Sequence, residues 1–183
     1  MLAYVFWHWK QPDIATAAYE ALLTDFLSAL TGASPPGLLD ARSFAISGAP
    51  WAAGGAIAWE DWYRLGGSAD LDQLNQAAVT ASRQIPHDRV AAKAGGGTAG
   101  LYLLRRGAPP PHARHACWFG KPAGMSYAQL FAALDPLCQR GAALWGRQMV
   151  LGPTPEFCLH APAPTALPEP LEALHIPLRC VWP

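Results

Sequence analysis

The sequence predicts an α+β fold of two tandem units with antiparallel sheets, the second unit abbreviated. Three observations predict it. An aromatic strand, a charged turn and a helix run through YVFWHWKQPDIATAAYEALLTDFLSALTG from Tyr4 and recur in the same order in ACWFGKPAGMSYAQLFAALDPLCQRG from Ala116. Each helix is followed by two further strands, ARSFAISGAPW and IAWEDWYRL in the first copy, ALWGRQMVLGP and EFCLH in the second. The run Pro109 to Pro111 favours an extended spacer and falls where the second copy begins. Two such units, each unable to bury its own sheet, can cover one another, which places one unit at 1–108 and the other at 109–183 of one compact domain.

The first strand, Tyr4 to Trp9, sets Tyr4, Phe6 and His8 on one face and Val5, Trp7 and Trp9 on the other, so both faces read as covered. Ala15, Ala18, Tyr19, Leu22, Phe26 and Leu30 then recur at helical spacing, and Gly32 with Pro35 and Pro36 stops the helix. Ser43 to Ser47 and Ile57 to Leu65 read as a strand pair joined across a connection containing Gly54 and Gly55. Ser68 caps a helix over Ala69 to Ser82, with Asp70 and Asp72 at its positive end. Residues 83 to 98 carry weak helical periodicity and then Gly95 to Gly97, read as a short helix followed by a mobile loop, and a strand at Gly100 to Arg106 completes the β-α-β-β-α-β order of a ferredoxin-like unit.

In the second unit, His115 to Gly120 is a strand and Ser126 caps a helix reaching about Gln139. Strands follow at Leu144 to Leu151 and Glu156 to His160. Beyond these, Glu169 to His175 allows a short helical stretch, and Ile176 to Trp182 an edge strand interrupted by Pro177.

The strand Tyr4 to Trp9, the helix Ala15 to Leu30, the hairpin to Trp62 and Tyr63, and their echo at Cys117 to His160 together resemble the dimeric α/β-barrel superfamily. Its ferredoxin-like units pair their sheets into a barrel, either between subunits or between tandem halves. The resemblance implies a range of activities, among them cofactor-free oxygenases, haem-handling enzymes and small-molecule isomerases. Fold alone does not choose among them.

Composition narrows the partners. Thirteen basic residues balance thirteen acidic ones, so no net field recommends nucleic acid. Charged residues make up only 14% of the 183, against a usual share of about a quarter, and there are eight tryptophans. Apolar surface is therefore expected to close in a homodimer or to line a pocket. The apolar run at the N-terminus is far shorter than the roughly 20 residues that cross a bilayer and has no basic leader, so a cytoplasmic protein without membrane contact is expected.

Polar residues inside apolar strands are the informative exceptions, because a buried polar group must find a partner. His8 reads either as a hydrogen-bonded core histidine or as a base. Asp61 and Tyr63 share a strand face with Trp59, a ligand-like combination, and Glu60 points to the other face. Arg147 lies on the face of Trp145 and is suited to gripping a carboxylate or an enolate, or to a salt bridge. Glu156, Cys158 and His160 share a face, but i and i+2 residues stand about 6.5 Å apart along a strand, which disfavours a Cys-His nucleophilic pair. His112 and His115 carry a possible metal spacing beside a proline run, with a surface role as the plainer reading, as for His87 and His175.

The expected function is binding of a small, partly apolar or aromatic organic molecule, without a cofactor, as a cofactor-free oxygenase or isomerase. His8, Asp61, Arg147 and His160 would be its polar contacts, and Tyr4, Phe6, Trp59, Tyr63 and Trp145 its walls. A non-catalytic assembly protein and a haem-binding protein are the alternatives, the latter needing one histidine free to reach iron from an apolar cavity.

Overall fold

Nine strands form one antiparallel sheet that curls into a nearly closed barrel. The computed structural model describes residues 1–52 and 57–183; the predicted Gly54–Gly55 turn lies outside the described residues. The strands are β1 Leu2–Lys10, β2 Leu38–Ile46, β3 Ala58–Leu65, β4 Ala94–Gly107, β5 His115–Phe119, β6 Ala143–Arg147, β7 Phe157–Ala161, β8 Ala173–Pro177 and β9 Arg179–Trp182. The helices are α1 Thr16–Gly32, α2 Leu71–Ala78, α3 Gln84–Ala91 and α4 Tyr127–Gln139. Among the described residues no helix is long and apolar enough to cross a membrane.

The spatial order is β8-β5-β7-β6-β4-β1-β3-β2-β9. Read as two quartets, β4-β1-β3-β2 and β8-β5-β7-β6, it is the same fourth-first-third-second order twice, the order of the ferredoxin-like unit. The fourth strand of the first quartet pairs with the second strand of the other, β4 with β6. At the far end, β8 lies on β5 and its continuation β9 crosses to β2, so residues 173–182 join the two edges of the sheet. Leu178, between them, donates its amide to the Arg114 carbonyl at 2.9 Å. Arg179 then holds Glu20 of α1, tying the closing strand to the first helix. The fold is thus of the dimeric α/β-barrel type, with the barrel completed within one chain.

Strand alternation sorts the side chains. The odd positions Ala3, Val5 and Trp7 of β1 enter the barrel, where they meet Trp62, Tyr102, Trp118 and Trp145. Trp62 and Trp145 lie 5.2 Å apart between ring centroids, and Trp7 and Trp118 lie 5.7 Å apart, each pair joining one half to the other. Aromatic pairs of this kind add about 0.5–1.5 kcal/mol beyond their buried area. Much of the tryptophan therefore seals the inside of the barrel, where the sequence had offered a subunit interface.

Outside the barrel, α1, α2 and α3 cover the first half and α4 covers part of the second. Ser126 caps α4 as expected, accepting the Gln129 amide at 3.2 Å.

Four local expectations are corrected. Gly95 to Gly97 belong to β4, because a side chain at Gly96 would meet the Trp9 ring at 2.6 Å and one at Gly97 the Phe6 ring at 2.6 Å. The helix expected over Ala69 to Ser82 is shorter: α2 ends at Ala78, Thr80 turns the chain with its side chain and amide bonded back to Gln76 and Ala77, and α3 follows separately over Gln84–Ala91. β6 ends at Arg147, since Met149 takes φ 58° and breaks the alternation. Ala173 to His175 extend β8 because they pair with β5, a partner invisible to local helical propensity.

Candidate functional site

A cavity of about 530 Å³ opens between the outer face of β1 and β3 and the three helices α1, α2 and α3. Its size lies in the usual range of roughly 300–1,000 Å³ for small-molecule and cofactor sites. The even positions Tyr4, Phe6 and His8 of β1 line the sheet side, with Asp61 and Tyr63 of β3 next to them. The pairing that sets Phe6 opposite Asp61 and Tyr4 opposite Tyr63 builds this wall. Leu23, Phe26 and Leu30 of α1 and Leu74 of α2 supply an apolar roof, consistent with helices that bury one stripe on a sheet.

A continuous polar chain crosses the sheet side. His8 Nε2 stands 3.1 Å from Asp61 Oδ2, and His8 Nδ1 stands 2.7 Å from the Tyr19 hydroxyl. A carboxylate only accepts, so Nε2–H donates to Asp61, and Nδ1 of the neutral ring accepts from Tyr19. Tyr63 donates its hydroxyl to the same Asp61 oxygen at 3.1 Å. Asp61 is 1% exposed, yet among the described residues its Oδ1 has no hydrogen-bond partner. Burial first, and the Asp61 charge second, push the Tyr63 phenol well above its ordinary 10.0 and raise Tyr19 as well.

These tyrosines make the fold sensitive to alkali. A phenol kept protonated in the fold but free to ionise in the unfolded chain contributes fully below the unfolded value of 10.0, and its contribution is lost as pH rises beyond it. Thermal melts should show a Tm that falls progressively above about pH 10, with a shallower fall in Tyr63→Phe. Parallel curves for the two proteins would contradict this account of Tyr63.

From the helix side, α3 brings His87 to the cavity lining. Its Nδ1 lies 3.0 Å from Asp88 Oδ1, and its ring meets Phe26 edge-on at 5.5 Å. The carboxylate fixes Nδ1–H as donor, which leaves Nε2 with a basic lone pair, the arrangement common in ligating histidines. His8, with both ring nitrogens engaged, has no such lone pair free.

The remaining sequence-predicted residues lie elsewhere. Arg147 donates to the Thr154 carbonyl at 2.6 Å beyond the end of β6. Trp145 is in the barrel interior. His160 also faces inward, its Nε2 3.7 Å from Glu60 Oε1. Glu60, fully buried, accepts the indole N–H of Trp7 and that of Trp62, each at 2.6 Å. Trp59 stacks near His8 at 6.0 Å and donates to Glu20 at 3.2 Å, beside the cavity. His8, Asp61, Tyr4, Phe6 and Tyr63 thus come together, and Arg147, His160 and Trp145 do not join them.

On the outer face of the second half, His115 and Cys117 project from the same side of β5, and His175 stands opposite Cys117 on β8. The donor atoms of these three residues all lie within 4.8 Å of one another. His115 is buried, which corrects its expected surface role. Burial, and next to it the neighbouring His175, lower the His115 imidazolium, and burial pushes the Cys117 thiol up to about 11. The i, i+2 spacing of His115 and Cys117 was visible in the sequence. Their partner, 58 residues beyond Cys117, was not.

The expectation of a cofactor-free oxygenase or isomerase is overturned. It set His8 or His160 as a base beside Arg147 as an anion clamp, but His8 lines the cavity, His160 faces Glu60 in the barrel and Arg147 bonds to Thr154, so neither histidine shares a cavity with Arg147. His87 lines the cavity, and the His115, Cys117 and His175 group has the donor set of a metal site.

No family model and no curated protein matches the chain. Several solved structures do, among them two at low identity. One is an arginine-to-alanine mutant of chlorite dismutase from Candidatus Nitrospira defluvii, with 10% identity over 97% of this chain and 76% of that one at a TM-score of 0.42. The other, TA0507, is provisionally described as a chlorite dismutase, with 9% identity over 99% of this chain and 96% of that one at a TM-score of 0.50. The likeness to the second is one of fold.

Proposed function

We propose that this chain binds haem in the cavity of its first half, where His87 would hold its iron. The observation that carries the reading is an imidazole in the lining of a largely apolar cavity of about 530 Å³, anchored through Nδ1 by Asp88 and with no hydrogen-bond partner on Nε2 among the described residues. The fold likeness to TA0507, provisionally described as a chlorite dismutase, and the haem-handling members of the superfamily that the sequence resembles favour the same cofactor.

Each residue then has a task. His87 would hold the iron through Nε2, and Asp88 holds the ring in the tautomer that would permit it. Phe26, Leu23, Leu30 and Leu74 exclude water from the apolar side. His8, Tyr19 and Tyr63 orient Asp61, whose free Oδ1 is placed to accept a proton or a hydrogen bond from a bound molecule. Bound haem supplies a redox-active iron whose reactivity follows its axial ligand and the polarity of the pocket.

Titration of the apoprotein with ferric haem tests the reading. A Soret band that shifts from that of free haem and saturates at one haem per chain is expected. A spectrum that stays that of free haem at every ratio would remove haem from the account.

A further inference from the structure

We infer that His115, Cys117 and His175 form a second, separate metal site that takes a divalent ion of the zinc class. It lies on the outer face of the second half, shares no residue with the cavity under α1, and does not depend on haem binding.

Two of the three donor separations are already those of a tetrahedral site. Bonds of about 2.0–2.1 Å to nitrogen and about 2.3 Å to sulfur place two ligated nitrogens about 3.3 Å apart, and a nitrogen and a sulfur about 3.6 Å apart. Here His115 Nε2 and His175 Nδ1 are 3.1 Å apart, and Cys117 Sγ and His175 Nδ1 are 3.5 Å apart. Strand pairing fixes this spacing, since Cys117 and His175 are direct cross-strand partners and His115 is two residues along the same face of β5. The site is held by backbone ladders, so little needs to move for an ion to enter.

The chemistry of the donors selects the ion. Two imidazoles and a thiolate, with no carboxylate in the group, suit a borderline-soft cation and disfavour calcium and magnesium. Three protein ligands leave a fourth position open, the arrangement of sites that bind water or substrate. Among the described residues the second half has no counterpart of α2 and α3, and His175 is exposed, so the group is approached from solvent on the His175 side. The Thr165 carbonyl, 3.6 Å from Cys117 Sγ, borders it.

Titration of the metal-free, haem-free protein with Co2+, followed by displacement with Zn2+, tests the inference. One Co2+ per chain is expected, with a thiolate-to-cobalt absorption band in the near ultraviolet that Zn2+ abolishes. His175→Ala, at an exposed position, should weaken binding by more than about 100-fold, since even outer-shell partners of metal ligands are worth about 10–100-fold. Cys117→Ser should lose the band, and Cys180→Ser, which removes an exposed thiol outside the group, should keep it. Absence of the band in the parent protein, or its loss in Cys180→Ser with retention in His175→Ala, overturns the site.

Discussion

His87→Ala is expected to lower haem affinity by more than about 100-fold, and Asp88→Asn by about 10-fold, because one change removes the axial donor and the other only its anchor. Neither should disturb the fold. The His87 side chain is 32% exposed and Asp88 62%, so truncation opens no core cavity and the loss is confined to the edge contact with Phe26. His8→Phe is the informative control. His8 spends both nitrogens on Tyr19 and Asp61, so its replacement should leave the affinity within a few-fold while disturbing that polar chain. The spectra of reconstituted proteins read all three changes. Wild-type binding in His87→Ala, with loss in His8→Phe, would assign the iron to the sheet side of the cavity and reject the proposed ligand.

The largest effect on stability is expected at Glu60, on the opposite face of β3 from Asp61. Glu60→Ala should cost about 3–5 kcal/mol, because it strands the buried indole N–H groups of Trp7 and Trp62 and empties the space that the carboxylate fills. For a chain of this length that corresponds to a Tm lower by roughly 10 °C. Glu60→Gln should fall between, since its amide oxygen serves one indole while its NH2 confronts the other. Haem affinity, once corrected for the folded fraction, should not change, because Glu60 faces the barrel interior. A Glu60→Ala protein melting within a couple of degrees of the parent would show that the two indoles find other partners.

Much of the architecture was legible in the sequence because it rests on local alternation. Tyr4, Phe6 and His8 against Val5 and Trp7 separated the cavity face from the barrel interior, and the two aromatic strands with their helices marked the repeated unit. What was not legible depends on partners distant in sequence. Gly95 to Gly97 resemble a loop until Trp9 and Phe6 are seen to occupy the space above them. His175 looks like part of a helical turn until β8 pairs with β5. Arg147 and His160 looked like partners of His8 because each is a polar residue in an apolar strand, but strand parity and register send His160 inward to Glu60 and Arg147 to Thr154. The overlooked signal for His87 was local: an acid directly beside a histidine, next to helical spacing that Pro86 obscured.

The central claim is that iron enters the cavity of the first half at His87. Anomalous diffraction at the iron absorption edge, from crystals of the haem-loaded protein, tests it most directly. The account predicts one iron peak per chain within bonding distance of His87 Nε2, and none beside His115, Cys117 and His175. A peak at that second group, or at His8, with the first cavity empty of iron, would contradict it.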